Sequence, residues 1–180
     1  GYALSYYNKK LQAYDGREVA PSLATPKWFL NESGVPLDFR TAWLSPYSVG
    51  VPGEVAMLYQ MHQDSGKLKW SELLGPAIKL AKNGFPMSQI LYEELSEEQT
   101  ALVNNPQIVS VYFNEDKTIK SVGDIIKNPD YAETLTQIAK NPDNFYSGKI
   151  AKDIVKTVND SAKQKLYDLK DMSSYRALSS

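Results

Sequence analysis

Arg17 stands between Asp15 and Glu18 in the stretch AYDGREVAP, residues 13–21, where a predicted strand ends just before Pro21. A guanidinium carries five N–H donors in one rigid plane and matches a carboxylate edge to edge. Two readings follow. Either Arg17 is paired with Asp15 or Glu18 on the surface, or it is held out to grip a ligand's carboxylate, and the residues alone leave both open. Other chemistry is sparse. The single histidine, His62, has Leu58 one helical turn away and Val55 two, the setting of a core or boundary residue, and no cysteine joins it in a metal site. A serine triad needs a histidine base near its nucleophile, and no GxSxG elbow, Walker loop or GxGxxG is present. Gly50-Val51-Pro52-Gly53 reads as a structural turn into a helix in preference to an anion site, and EELSEE, residues 93–98, as a solvated face. Tyr6, Tyr7 and Tyr14 read as strand packing. From the residues alone the chain holds no complete catalytic set and no clustered metal site.

These residues must be positioned by an ordinary globular scaffold. Length is 180 residues, with 42% hydrophobic and 23% charged side chains, enough for one core-bearing domain. Twenty basic residues balance twenty-one acidic ones for a net charge of -1, which gives no footprint for nucleic acid. No apolar run approaches the roughly 20 residues that span a bilayer. The first residue is not methionine, which suggests a mature or excised piece.

Residues 2–7 and 11–15 read as a β-hairpin turning near Asn8 to Lys10, so that residues 1–20 hold the hairpin and the arginine motif. Prolines at 21, 26, 36, 46 and 52 make 21–53 a long ordered loop, with one short helical turn at TPKWFL, residues 25–30. The rest, 54–180, is expected to be mostly helical. Pro52 opens a helix to about Ser65. A second, about 69–83, carries Trp70, Leu73, Leu74, Ala77, Ile78 and Ala81 on one stripe, with Pro76 inside and Gly84 at its end. Ser88 caps a third through about Val103. NPD occurs at 128–130 and 141–143, each a capping Asn, a first-turn Pro and an acid suited to the dipole. Ala151, Ile154, Val155 and Val158 stripe a last long helix, and the tail DLKDMSSYRALSS is expected to hold one more turn.

Three stretches in this order and spacing resemble a known family: AYDGREVAPSLATPKWFL at 13–30, VGVPGEVAMLYQMHQDSGKLKWSELLGPAIKLAKNGFPMS at 49–88, and GDIIKNPDYAETLTQIAKNPDNFYSGKIAKDIV at 123–155. Each short piece within them is weak alone; jointly they are similar to the large-subunit region of γ-glutamyltranspeptidases, N-terminal-nucleophile hydrolases. The resemblance implies an α+β chain, part of a four-layer αββα fold, mostly helical with an N-terminal hairpin. It implies a precursor that cleaves itself to free a threonine, whose hydroxyl attacks the γ-amide of glutathione or a related compound and passes the glutamyl group to water or an amino acid. It also implies that Arg17 binds the α-carboxylate of that glutamyl group, with Asp15 and Glu18 as candidates to position the guanidinium. A periplasmic or extracellular location and no cofactor go with it.

The departures define the expected limits. No stretch resembles the family's cleavage site with its threonine, and Thr25, Thr41, Thr100, Thr118, Thr134, Thr136 and Thr157 each lie in segments matched to something else. The glycine-rich strand that leads into GYALSYY is absent apart from Gly1, and the glycine pair often placed before the last acidic turn is missing near KLYDLKDMSSYR. The chain thus reads as a single incomplete domain, inactive alone. Its partners would be a γ-glutamyl substrate, the remainder of the large subunit and the small subunit, with pairing of two copies through exposed strands. Two rivals stay open: a cephalosporin or glutaryl acylase of the same superfamily, and a non-catalytic helical binding module.

Overall fold

The computed structural model describes residues 1–180. In chain order its elements are β1 (Tyr2–Tyr7), β2 (Lys10–Asp15), α1 (Phe39–Trp43), α2 (Glu54–Ser65), α3 (Trp70–Asn83), β3 (Phe85–Pro86), α4 (Gln89–Glu97), α5 (Gln99–Leu102), α6 (Pro106–Tyr112), β4 (Ile125–Ile126), α7 (Pro129–Lys140), α8 (Lys149–Ala162), α9 (Leu169–Ser174) and β5 (Leu178–Ser179). Short 3-10 turns occupy Pro46–Ser48 and Pro142–Phe145. The chain divides into two compact units, one made of Gly1–Trp70 with Lys140–Ser180 and the other of Ser71–Ala139. No helix is long and apolar enough to cross a membrane.

In the first unit, β1 and β2 form the expected hairpin, with Tyr2 opposite Asp15 and Tyr7 opposite Lys10. Asn8 and Lys9 both take positive φ, 51° and 62°, as a two-residue hairpin loop requires. Strand alternation then sorts the side chains onto two faces. Tyr14, 2% exposed, turns inward and donates from its hydroxyl to Asp64 Oδ2 on α2 at 3.0 Å. Tyr2, Leu4, Tyr6 and Leu11 share the opposite face and are exposed. β5 joins the other side of β2, with Ser179 opposite Tyr14 and Leu178 opposite Asp15.

The core of this unit is built by residues from the far end of the chain. Val51, Ala151, Val158, Leu166, Tyr167, Met172 and Tyr175 are buried together, with Trp28, Ala56, Tyr146 and Ile154 packed against them. Asn159 on α8 brackets the loop before α9: its Oδ1 accepts from the amides of Leu166 at 2.7 Å and Tyr167 at 2.9 Å, and its Nδ2 donates to Tyr167 O at 3.1 Å. Asp171 then closes a capping box with Asp168 and accepts from Ser22 N at 2.9 Å, which ties α9 to the loop after the arginine motif. The tail holds the one further turn its sequence predicts, as α9, and it also supplies core: Leu166, Tyr167, Met172 and Tyr175 are buried with Val51 and with Ala151 and Val158 of α8.

In the second unit, Met87, Leu95 and Ile126 form a small buried cluster beneath the two-stranded ladder of β3 and β4. Gly84 has φ +99°, as its position at the end of α3 called for, and a Cβ there would meet Ile125 Cγ2 at 2.3 Å. Ser88 Oγ accepts from Leu91 N at 3.1 Å and starts α4 as expected. That helix stops at Glu97 instead of reaching Val103, because Glu98 leaves helical geometry at φ -101°, ψ 6°. A helix not foreseen, α6, begins at Asn105-Pro106, where the Asn side chain accepts from Gln107 N and Ile108 N. Asn128 caps α7 through Tyr131 N at 2.9 Å, whereas the second NPD yields only a 3-10 turn. The helical turn expected at 25–30 is also corrected. That segment has isolated turns, because Leu30 pairs with Pro36 and Leu37 N donates to Phe29 O, while the helix forms later under the Asp38 cap.

Candidate functional site

The arginine motif follows β2 at the point where the chain leaves the sheet. Gly1 and Gly16 exchange two backbone bonds, at 3.0 and 2.8 Å, and Val19 pairs with Val51 further on. Arg17 and Glu18 lie between these two anchors without a ladder partner. Gly16 has to be glycine on packing grounds, since a Cβ would stand 2.4 Å from Met57 Cβ and 2.9 Å from Gly53 O. Gly53 is equally constrained, with a Cβ there falling 1.9 Å from the Tyr175 hydroxyl. The turn expected at Gly50-Val51-Pro52-Gly53 does not form: Val51 instead bridges Val19 beside the motif, and Gly53 is the N-cap of α2.

Arg17 is fixed at its backbone and open at its head. Its amide donates to Asp15 Oδ1 at 2.8 Å, and its carbonyl accepts from the Tyr175 hydroxyl at 2.7 Å. The side chain is 64% exposed. Nε lies 3.5 Å from Glu18 Oε1, and Nη1 donates to the Tyr2 hydroxyl at 3.4 Å. Tyr2 first, and Glu18 after it, hold the guanidinium pKa above its ordinary value, so the group stays cationic. Both contacts are long and solvent-screened, and Nη2 has no protein partner. The fork that would receive a carboxylate remains available.

The three candidates thus have different jobs. Glu18 touches the guanidinium. Asp15 instead holds the Arg17 amide in a local turn, and does not reach the head group. Glu18 also lays its stem on Gly50, where a Cβ would come within 2.7 Å of Glu18 Cγ. His62 is elsewhere, between Tyr59 and Trp70, with Nε2 bonded to Leu68 O at 2.8 Å; it is the boundary histidine the helical pattern called for. No cluster of three or more metal-ligating side chains is present.

Two tyrosines at the motif escaped the sequence. Tyr2 is the cross-strand partner of Asp15, so the hairpin register was the signal that could have found it. Tyr175 lies 158 residues from Arg17 in the chain, and no local pattern announces it. It is 7% exposed and stacks on Tyr146 at 5.9 Å and 12°. Tyr146 in turn accepts from Ala56 N at 3.0 Å, and burial pushes its pKa up to about 12.

The helix-rich α+β scaffold that opens with a hairpin is shared with solved γ-glutamyltranspeptidases, which are N-terminal-nucleophile hydrolases. γ-Glutamyltranspeptidase from Helicobacter pylori superposes with a TM-score of 0.91 at 31% identity, over 99% of this chain and 51% of that one. The enzyme from Pseudomonas nitroreducens, complexed with L-DON, gives 0.87 at 32% identity over 100% of this chain and 52% of that one. The family model for gamma-glutamyltranspeptidase matches residues 1–180, and the chain belongs to that family. Among curated proteins it is 32% identical to glutathione hydrolase 3 of Arabidopsis thaliana over 173 residues, 96% of this chain and 26% of that protein. The chain thus spans about a quarter of the length of that curated relative and about half of the solved chains.

Proposed function

We propose that these residues form the glutamyl-binding wall of a glutathione hydrolase or γ-glutamyltransferase, and that Arg17 receives the α-carboxylate of the γ-glutamyl donor. One observation carries the reading: the backbone of Arg17 is held at both its amide and its carbonyl while the guanidinium keeps only long contacts to Tyr2 and Glu18. A surface ion pair needs no such fixation. A receptor does, because a carboxylate clamp orients its ligand only when the clamp itself is held.

The attacking hydroxyl belongs to a threonine outside these residues, at the start of a small subunit freed by self-cleavage. Attack on the γ-amide gives a glutamyl ester and releases the amine, and water or an amino acid then takes the glutamyl group. Arg17 takes no proton in these steps; it fixes the far end of the donor so that the γ-carbonyl meets the nucleophile. By themselves the 180 residues turn nothing over. The remainder of the large subunit and the small subunit are the partners, and a periplasmic or extracellular location goes with the family assignment.

The test uses the longer protein to which these residues belong. Arg17→Lys keeps the charge and loses the planar fork, and is expected to raise KM for a γ-glutamyl anilide on the order of 100-fold, with self-cleavage intact. Unchanged KM would refute the assignment.

A further inference from the structure

We infer that Tyr175 is a positioning residue for the carboxylate receptor: its hydroxyl, from the buried end of the chain, sets where Arg17 stands. This rests on the reading of Arg17 given above.

The geometry argues it step by step. Backbone bonds to the sheet stop at Gly16 and resume at Val19, so the carbonyl of Arg17 has no strand to bond. The Tyr175 hydroxyl replaces that strand, donating to the carbonyl at 2.7 Å. Its ring cannot drift, since it is buried, stacks on Tyr146 and leaves no room for a side chain at position 53. Tyr146 is anchored in turn to the amide of Ala56 in the first turn of α2. A chain of fixed contacts therefore runs from α2 through two aromatic rings to the backbone of Arg17. Nothing equally rigid touches the guanidinium itself, where the contacts are 3.4 and 3.5 Å and exposed. The position of the head group is thus inherited from its backbone, and the backbone from Tyr175. Burial, followed by the charges of Asp15 and Glu18, raises the phenol pKa, so the hydroxyl stays protonated and able to donate.

A merely structural tyrosine would affect all substrates alike. Two donors for the longer protein separate the cases: a γ-glutamyl anilide and the 4-aminobutyryl anilide that lacks the α-carboxylate. Tyr175→Phe keeps the stacked ring and removes only the donor. It is expected to raise KM for the γ-glutamyl anilide roughly 10-fold with kcat within about 2-fold, and to leave kcat/KM for the 4-aminobutyryl anilide unchanged. Tyr167→Phe is the control; it removes another buried phenol's bond to a backbone carbonyl, Val49 O at 2.9 Å, a bond in which neither Tyr175 nor Arg17 takes part, and the ratio of the two donors should not move. In an Arg17→Lys background, Tyr175→Phe should produce no further change in that ratio. Equal losses on both donors for Tyr175→Phe, or the same shift from Tyr167→Phe, would overturn the inference. If Arg17→Lys collapses the ratio and Tyr175→Phe does not, only the Tyr175 role falls. If Arg17→Lys itself leaves the ratio alone, the receptor reading falls and this inference with it.

Discussion

At the scale of residues, the motif depends on what is absent from two side chains. Gly16 and Gly53 face each other across a gap that admits no Cβ, with Gly53 closed off by Tyr175 and Gly16 by Met57. Neither glycine has positive φ, so the need is close approach and not a backbone conformation. Gly53→Ala is therefore expected to push Tyr175 from the Arg17 carbonyl and to destabilise the fold by about 1–3 kcal/mol, read as a lower midpoint in urea. An unchanged midpoint would show that the ring has room to move. Arg17 and its acidic neighbours were legible in the sequence as a group, and the hairpin end was enough to place them. What could not be read was the division of labour, because whether Asp15 meets the guanidinium or the amide depends on local geometry that residue types do not fix. Tyr175 was illegible for a different reason: its role exists only once residues at opposite ends of the chain are brought together.

Among the elements, those with strong local signals were found. The hairpin, α2, α3, α7 and α8 carry period-two or helical patterns with Gly, Asn or Pro at their ends, and they lie within a few residues of where the pattern puts them. The elements missed have no amphipathic pattern long enough to see. β3 and β4 are two residues each and α6 is seven, and all are held by partners far away in the chain or by a single cap. The hairpin also makes a prediction of its own. β1 pairs only with β2, and Tyr2, Leu4, Tyr6 and Leu11 present an apolar outer face beside that free edge. Unpaired edges of this kind template further strands. The 180-residue chain made alone is expected to self-associate through β1, and Leu4→Lys with Tyr6→Lys should return it to a monomer by light scattering. A wild-type chain that stays monodisperse and monomeric at high concentration would contradict this.

Over the molecule as a whole, the first unit is knit by buried and half-buried phenols. Tyr14, Tyr146, Tyr167 and Tyr175 all have raised pKa values, with burial the leading cause in each. Unfolded, these groups titrate near 10.0; in the fold Tyr146 waits until about 12. The native state thus holds protons that the unfolded state releases, so this stabilisation is complete below pH 10 and falls as the pH rises toward 12. Urea midpoints should accordingly be flat approaching pH 10 and decline above it, with phenolate absorbance from these rings appearing together with unfolding. Ionisation of all twelve tyrosines near pH 10 in a folded chain would deny the burial. Family membership was legible at this scale because three separated stretches agree in order and spacing, although none is decisive singly.

The most direct test of the glutamyl-wall reading is a crystal structure of the longer protein with glutamate bound. We expect both oxygens of the α-carboxylate to lie about 2.7–2.9 Å from guanidinium nitrogens of Arg17, with the Tyr175 hydroxyl still on the Arg17 carbonyl. Glutamate held by other residues, with Arg17 left beside Glu18 and Tyr2, would contradict it.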